Sequence, residues 1–144
     1  MIREIMQDEL EPLLALYVQL RPGGDIGPRE RIAAAWERIM ADRNHHVLVA
    51  ETDGRIVASC VVVIVPNLTH GAHPYALVEN VVTDGAYRRR GWATRCLDYA
   101  KQLALRAGCY KITLLTGTKE EGTLRFYERA GYNRRDKTAF IQWL

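Results

Sequence analysis

The segment Val81-Val82-Thr83-Asp84-Gly85-Ala86-Tyr87-Arg88-Arg89-Arg90-Gly91-Trp92-Ala93-Thr94 decides how the rest of the chain is read. An apolar strand ends at Thr83, a turn with small residues follows, and a long amphipathic helix begins near Arg90. The first turn of a helix leaves backbone N–H groups unpaired and carries the positive end of the helix dipole. Gly91 and Ala93 let a ligand approach the main chain, and Arg88, Arg89 and Arg90 add charge and fork-shaped donors. These features suit an anion such as a pyrophosphate. They equally describe a strand-to-helix loop with a solvated charge run. Gly85 and Gly91 are too far apart for the fingerprint G-x-G-x-x-G, and Trp92 stands where a Walker A loop needs lysine.

Outward from this segment the pattern alternates between periods of two and of 3.6 residues. Tyr75 to Thr83 reads as a strand, Arg90 to Ala107 as a helix closed by Gly108, and Lys111 to Leu115 as a strand. A strand, a crossover helix and a strand make a right-handed parallel pair. Upstream, Val47 to Glu51 and the Val-rich run Ile56 to Val65 flank Asp53-Gly54, a strong hairpin signal. The continuous apolar character of the second strand predicts burial on both faces. Asp8 to Leu20 and Arg29 to Asp42 carry helical stripes, and Ile2 to Ile5 is a short first strand. Lys119 to Ala130 is a helix ended by Gly131, and Thr138 to Trp143 is a final strand. The predicted order is β-α-α-β-β-β-α-β-α-β, an α/β fold with a mixed, mostly antiparallel sheet and helices on both faces.

The 144 residues predict one domain spanning 1–144, with a 48% hydrophobic fraction and a 26% charged fraction that are ordinary for a globular chain. No apolar run approaches the ~20 residues of a membrane span. The first ten residues are acidic and lack the apolar core of a signal peptide. Cys60, Cys96 and Cys109 are odd in number with no CxxC spacing, so a reduced, cytoplasmic setting is expected. A net charge of +3 is mild, and no helix-turn-helix pattern or stacking platform accompanies the arginines. Neither nucleic acid nor membrane is expected as a partner.

Arg88-x-x-Gly91-x-Ala93 resembles the Q/R-x-x-G-x-G/A signature of the GNAT superfamily of N-acetyltransferases. Phe126-Tyr127-Glu128-Arg129-Ala130-Gly131-Tyr132 looks like that family's F-Y-x-x-x-G-F/Y segment, and the element order agrees. The resemblance runs strongly from Val47 to Leu144 and in layout only before that. Gly108-Cys109-Tyr110-Lys111 and Val78-Glu79-Asn80-Val81 further resemble the glucosamine-phosphate acetyltransferase branch. There an acidic residue usually follows the glutamate; here Asn80 does.

The resemblance implies acetyl-CoA as co-substrate and direct transfer to a primary amine, without an acyl-enzyme. Arg88, Arg89, Arg90, Gly91, Trp92, Ala93 and Thr94 would hold its pyrophosphate. Val81 and Thr83 would bond the pantetheine arm along a strand splayed from its parallel neighbour, and the Val82 N–H would polarise the thioester carbonyl. Losing such a donor costs on the order of 3 kcal/mol in other enzymes. Glu79 is the candidate base, acting directly or through water, and burial among apolar neighbours would raise its pKa and help it. It is equally an exposed carboxylate or one that orients substrate. Tyr127 matches the tyrosine that protonates the departing sulfur, and it also contacts the cofactor; a phenol is protonated at neutral pH. The plainer reading is a ring packed in the core, as for Phe126.

The remaining candidates read as structure. His70-x-x-His73 lacks a third ligand, so no metal is expected, although the pair precedes the Glu79 strand and could border the acceptor. His45-His46 reads as surface, the cysteines as buried inert thiols, and Trp36, Trp92 and Trp143 as packing residues, Trp92 also covering the adenine side. Asp25, Arg29 and Arg31 lie where a loop borders the acceptor cleft in relatives. A small-molecule acceptor is the leading reading. A protein or peptide acceptor and a non-catalytic acyl-CoA-binding module are the alternatives. The apolar ending Ala139 to Leu144 is compatible with the homodimers of relatives.

Overall fold

A computed structural model describes residues 1–24 and 26–144. The elements are β1 (Ile2–Glu4), α1 (Leu10–Leu20), α2 (Arg29–Ala41), β2 (His45–Thr52), β3 (Arg55–Val65), a short turn α3 (Thr69–Ala72), β4 (Tyr75–Thr83), α4 (Trp92–Arg106), β5 (Ile112–Leu114) and α5 (Glu121–Arg129). The sheet order follows the chain, β1-β2-β3-β4-β5. Only β4 and β5 run parallel; the other pairs are antiparallel.

The hairpin forms where Asp53-Gly54 predicts it. Both residues take positive φ, 51° and 68°, the two left-handed positions of a type I′ turn. Val47 and Val49 point to one face of the sheet and pack with Leu13 and Trp36 beneath α1 and α2. Leu48, Ala50, Cys60 and Val62 point to the other and pack with Cys96, Leu97, Ala100, Leu103 and Ala104 of α4. Those spacings put the α4 residues on one stripe. With helices on both faces, β3 is buried on both, as its unbroken apolar run requires.

Two helices end in the same device. At Gly108 (φ 78°), its N–H donates to Leu105 O and the Cys109 N–H to Ala104 O, both at 3.0 Å. At Gly131 (φ 97°), its N–H donates to Glu128 O at 2.9 Å and the Tyr132 N–H to Tyr127 O at 3.1 Å. This paired bonding with a left-handed glycine satisfies the last carbonyls of a helix.

The chain departs from expectation at its end. No strand forms over Thr138 to Trp143. A strand needs a neighbour's N–H and C=O groups. Both edges of this sheet, β1 and β5, are three residues long and offer almost none. The ending is instead exposed, with Phe140 at 92% and Trp143 at 83% accessibility, so Trp143 is not a packing residue. Among the described residues no helix is long and apolar enough to cross a membrane.

Candidate active site

The site begins with a defect in β4. Ser59 pairs with Val82 and Val61 with Glu79, so β4 carries one more residue than β3 across this stretch. Asn80 takes up the excess at φ 52°, a left-handed conformation that asparagine tolerates better than most residues. The bulge breaks the in–out alternation and leaves both Glu79 and Asn80 exposed.

On the other side of β4, pairing with β5 stops at Val78–Leu114. From Glu79 onward the β4 edge faces a cleft of about 200 Å³. Glu79, Asn80 and Val81 line one wall, Leu114, Leu115, Thr116 and Gly117 another, and Tyr127 of α5 faces them, with Leu20 of α1 at the rim. The expected splay between the parallel strands is therefore present. Glu79, Val81 and Tyr127 come together from two separate elements. Val82 lies beside them with its side chain buried, and Thr83 pairs with Ala58. Burial raises the Tyr127 pKa above that of an ordinary phenol. Glu79 lacks the burial among apolar neighbours that was expected to help it.

Beyond Thr83 the chain makes a 3-10 turn over Gly85–Tyr87 and enters α4. Gly91 sits at the helix N-terminus with φ 79°, and a Cβ placed on it would meet nothing within 4 Å. Its surroundings are open and its conformation favours glycine. The Trp92, Ala93 and Thr94 N–H groups precede the first helical bond, which Arg95 makes to Gly91 O at 3.1 Å. Arg88 Nε reaches Thr83 O at 3.4 Å, the Arg90 guanidinium lies 5.2 Å from the Tyr87 ring centroid, and Arg89 has φ 61°. An open cradle of unpaired donors ringed by three exposed arginines fits an anionic group. Trp92 packs inward against the α4 core with Arg95 4.8 Å over its ring, so the indole does not stand free over the loop.

A model of the family described as Acetyltransferase (GNAT) matches residues 4–132. The chain belongs to the GNAT family of acetyltransferases. The fold and the resemblance of its two motifs agree with that assignment. A glucosamine 6-phosphate N-acetyltransferase of Trypanosoma brucei brucei is 31% identical over 136 residues, covering 94% of this chain and 90% of that protein. A candidate acetyltransferase structure from Agrobacterium tumefaciens str. C58 superposes with a TM-score of 0.92 at 34% identity, covering 99% of each chain. The glucosamine-6-phosphate N-acetyltransferase of Arabidopsis thaliana shares the fold, with a TM-score of 0.84 at 21% identity over 99% of this chain and 97% of that one.

Other residues of this GNAT chain fall away from the cleft. His70 stacks on Tyr110 with ring centroids 4.1 Å apart, and His73 Nδ1 lies 3.0 Å from Gly108 O. Neither lines the cleft, so neither borders it as the sequence allowed. Cys60 and Cys96 are fully buried against each other, and that contact together with burial drives the Cys60 thiol well above its usual pKa. Cys109, expected to be buried as well, is only half-buried. Arg29 is paired with Glu11 on the surface, Arg31 is exposed, and Asp25 lies outside the described residues.

Two features escaped the sequence reading. Gln19 of α1 clamps the turn after β4: its Nε2 donates to Asp84 Oδ2 and its Oε1 accepts from the Gly85 N–H, both at 2.9 Å. A lone glutamine on a helix carries no signal of such a contact. The bulge had a signal, since asparagine is uncommon inside strands. The sequence suggests a surface position for His45, yet it is half-buried and lines a second cavity.

Proposed function

We propose that this chain transfers the acetyl group of acetyl-CoA to a primary amine of a small molecule, with donor and acceptor bound together. The observation that carries the reading is the cleft where β5 leaves β4, because it holds a carboxylate and a raised-pKa phenol facing one volume. Acetyl-CoA supplies an activated thioester. Arg88, Arg89, Arg90 and the N–H groups of Gly91, Trp92, Ala93 and Thr94 bind its pyrophosphate. Val81 and Thr83 bond the pantetheine arm, and the Val82 N–H donates to the thioester oxygen, where negative charge develops.

Glu79 takes a proton from the acceptor ammonium, directly or through water, leaving a nucleophilic lone pair. As the C–N bond forms the C–S bond breaks. Tyr127 donates its proton to the departing sulfur, the second proton leaving the nitrogen passes through solvent to restore the Tyr127 phenol, and Glu79 releases the first to solvent. Among the described residues no cysteine lines the cleft, which supports direct attack without an acyl-enzyme. Homodimerisation belongs to the same reading, supported by the exposed apolar ending Phe140, Ile141, Trp143 and Leu144.

Calorimetric titration with acetyl-CoA and with free adenine nucleotides tests the donor site. Micromolar binding that prefers acetyl-CoA, lost in Gly91→Glu, is expected. Absence of acetyl-CoA binding, or normal binding in Gly91→Glu, would overturn it.

A further inference from the structure

We infer that the acceptor carries its primary amine on an apolar body, an aryl or branched alkyl group, seated in a cavity between α1, α2 and the sheet. The inference rests on the acetyl-transfer reading above and names the acceptor of that site. This second cavity has a volume of about 410 Å³, within the roughly 300–1,000 Å³ of small-molecule sites. Glu79 and Asn80 line both it and the transfer cleft. An amine held at Glu79 therefore has its nitrogen at the cleft and the rest of its body in the cavity.

The walls decide what that body is. They are built from Leu13 and Leu14 of α1, Ile32 and Trp36 of α2, and Val61 and Val63 of β3. The Trp36 indole N–H is already spent on Gln7 O at 3.0 Å. Burial lowers the pKa of His45, which disfavours its charged form. The Tyr17 phenol is turned towards Ser59 and Asn80, and burial raises its pKa to about 12. Neither cavity is lined by a lysine or arginine among the described residues. Arg29, at the start of α2, is engaged by Glu11.

A phosphate placed here would lose its water and gain no lysine or arginine, and most hydroxyls of a sugar would meet leucine, isoleucine and valine, the polar groups being confined to Tyr17, His45, Glu79 and Asn80. Unpaired polar groups in such surroundings are costly. An apolar body gains by leaving water, and its ammonium keeps a charge-assisted bond to Glu79. The acceptor of this chain thus differs in chemistry from the sugar phosphate named for its trypanosomal relative.

The test measures thiol release from acetyl-CoA with 2-phenylethylamine, 3-methylbutylamine, glucosamine and glucosamine 6-phosphate. The two apolar amines should exceed both sugars in kcat/KM by about tenfold or more, the scale of discrimination by an apolar pocket. Ala35→Trp places a large ring on an exposed part of the cavity wall without disturbing the core. It should lower kcat/KM for 2-phenylethylamine about tenfold, mainly through KM, with the acetyl-CoA Kd and thermal midpoint retained. Calorimetry of 2-phenylethylamine into the protein saturated with coenzyme A reads acceptor binding without turnover. Preference for glucosamine 6-phosphate, or unchanged amine kinetics in Ala35→Trp, would overturn the inference and leave acetyl transfer standing. Failure to bind acetyl-CoA would remove the underlying reading and this inference with it.

Discussion

Tyr132 holds Tyr127 by both main chain and ring. Its N–H donates to the Tyr127 carbonyl at 3.1 Å, and the two rings meet edge to face with centroids 6.3 Å apart at 84°. Gly131 between them permits the turn, and the Phe126 ring also meets Tyr127, with centroids 5.0 Å apart. The F-Y-x-x-x-G-Y spacing is thus a helix end that aims one phenol into the cleft.

Tyr127→Phe should therefore lower kcat by about 10²-fold or more while the acetyl-CoA Kd stays within a factor of two or so. Because burial raises the phenol's pKa, wild-type Tyr127 remains a proton donor through the neutral and mildly alkaline range. Its own ionisation should place no falling limb on the kcat profile below the ordinary tyrosine pKa. Stopped-time thiol-release assays across pH check both statements; unchanged kcat in Tyr127→Phe would remove it as the acid.

Gly131→Ala tests the positioning. With φ at 97°, a Cβ there is strained even though the space around it is open. A cost of about 1–2 kcal/mol is expected. The thermal midpoint should fall by several degrees, and kcat should fall more than acetyl-CoA affinity. A midpoint and kcat equal to wild type would show that the turn tolerates alanine.

Gln19→Ala removes both bonds to the turn after β4, leaving the Asp84 carboxylate its hydrogen bond from the Ala86 N–H. Two hydrogen bonds of this kind contribute about 1–3 kcal/mol together. Because they order the loop leading to Arg88–Gly91, part of that loss should be seen as weaker acetyl-CoA binding. Calorimetry of the variant checks this, and an unchanged Kd with unchanged stability would make the clamp incidental.

Arg3 joins three segments. Its guanidinium bonds Glu9 through Nη1 at 2.8 Å and Nη2 at 2.6 Å, and bonds Glu51 Oε2 through Nε at 2.9 Å and Nη2 at 2.6 Å. The Glu9 pKa is held below the ordinary carboxylate value, with Arg3 the largest cause. A lowered native pKa contributes stability above the unfolded-state value, and that contribution is lost as pH falls through the native one. Arg3→Met should accordingly be less stable than wild type at pH 7, and the gap should shrink towards pH 3. Thermal unfolding at the two pH values measures it; a constant gap would show that Glu9 titration is not involved.

The chain ending makes a prediction in solution. A dimer is expected by sedimentation at micromolar concentration, and removal of residues 138–144 should yield a monomer. A full-length chain that sediments as a monomer would exclude the homodimer.

Local rules made most of the architecture legible. Asp53-Gly54 supplies two adjacent residues suited to positive φ, so the hairpin and its first pairs, Thr52 with Arg55 and Glu51 with Ile56, follow from the turn, while a shift between Ala50 and Glu51 sets the register beyond. Gly108 and Gly131 end α4 and α5 because few other residues take the left-handed cap. Gly91 and the arginines marked the helix N-terminus, and the spacing from Tyr127 to Gly131 marked the helix end that carries the phenol. Each of these depends on neighbours within a few positions. The Glu79–Asn80 bulge, the cleft beyond Val78–Leu114, the Gln19 clamp and the apolar cavity depend on contacts across 60 or more positions in the case of Gln19 with Asp84 and Gly85. The ending shows the same division: Thr138 to Trp143 has strand composition, but a strand exists only where another backbone receives its hydrogen bonds, and the short sheet edges withhold that partner. Sequence alone determined most of the elements and the glycine caps of α4 and α5, because these are settled by backbone conformation and nearest neighbours. Tertiary structure decided where the strands part, what lines the space between them and which residues meet there, because those outcomes are set by packing between elements distant along the chain.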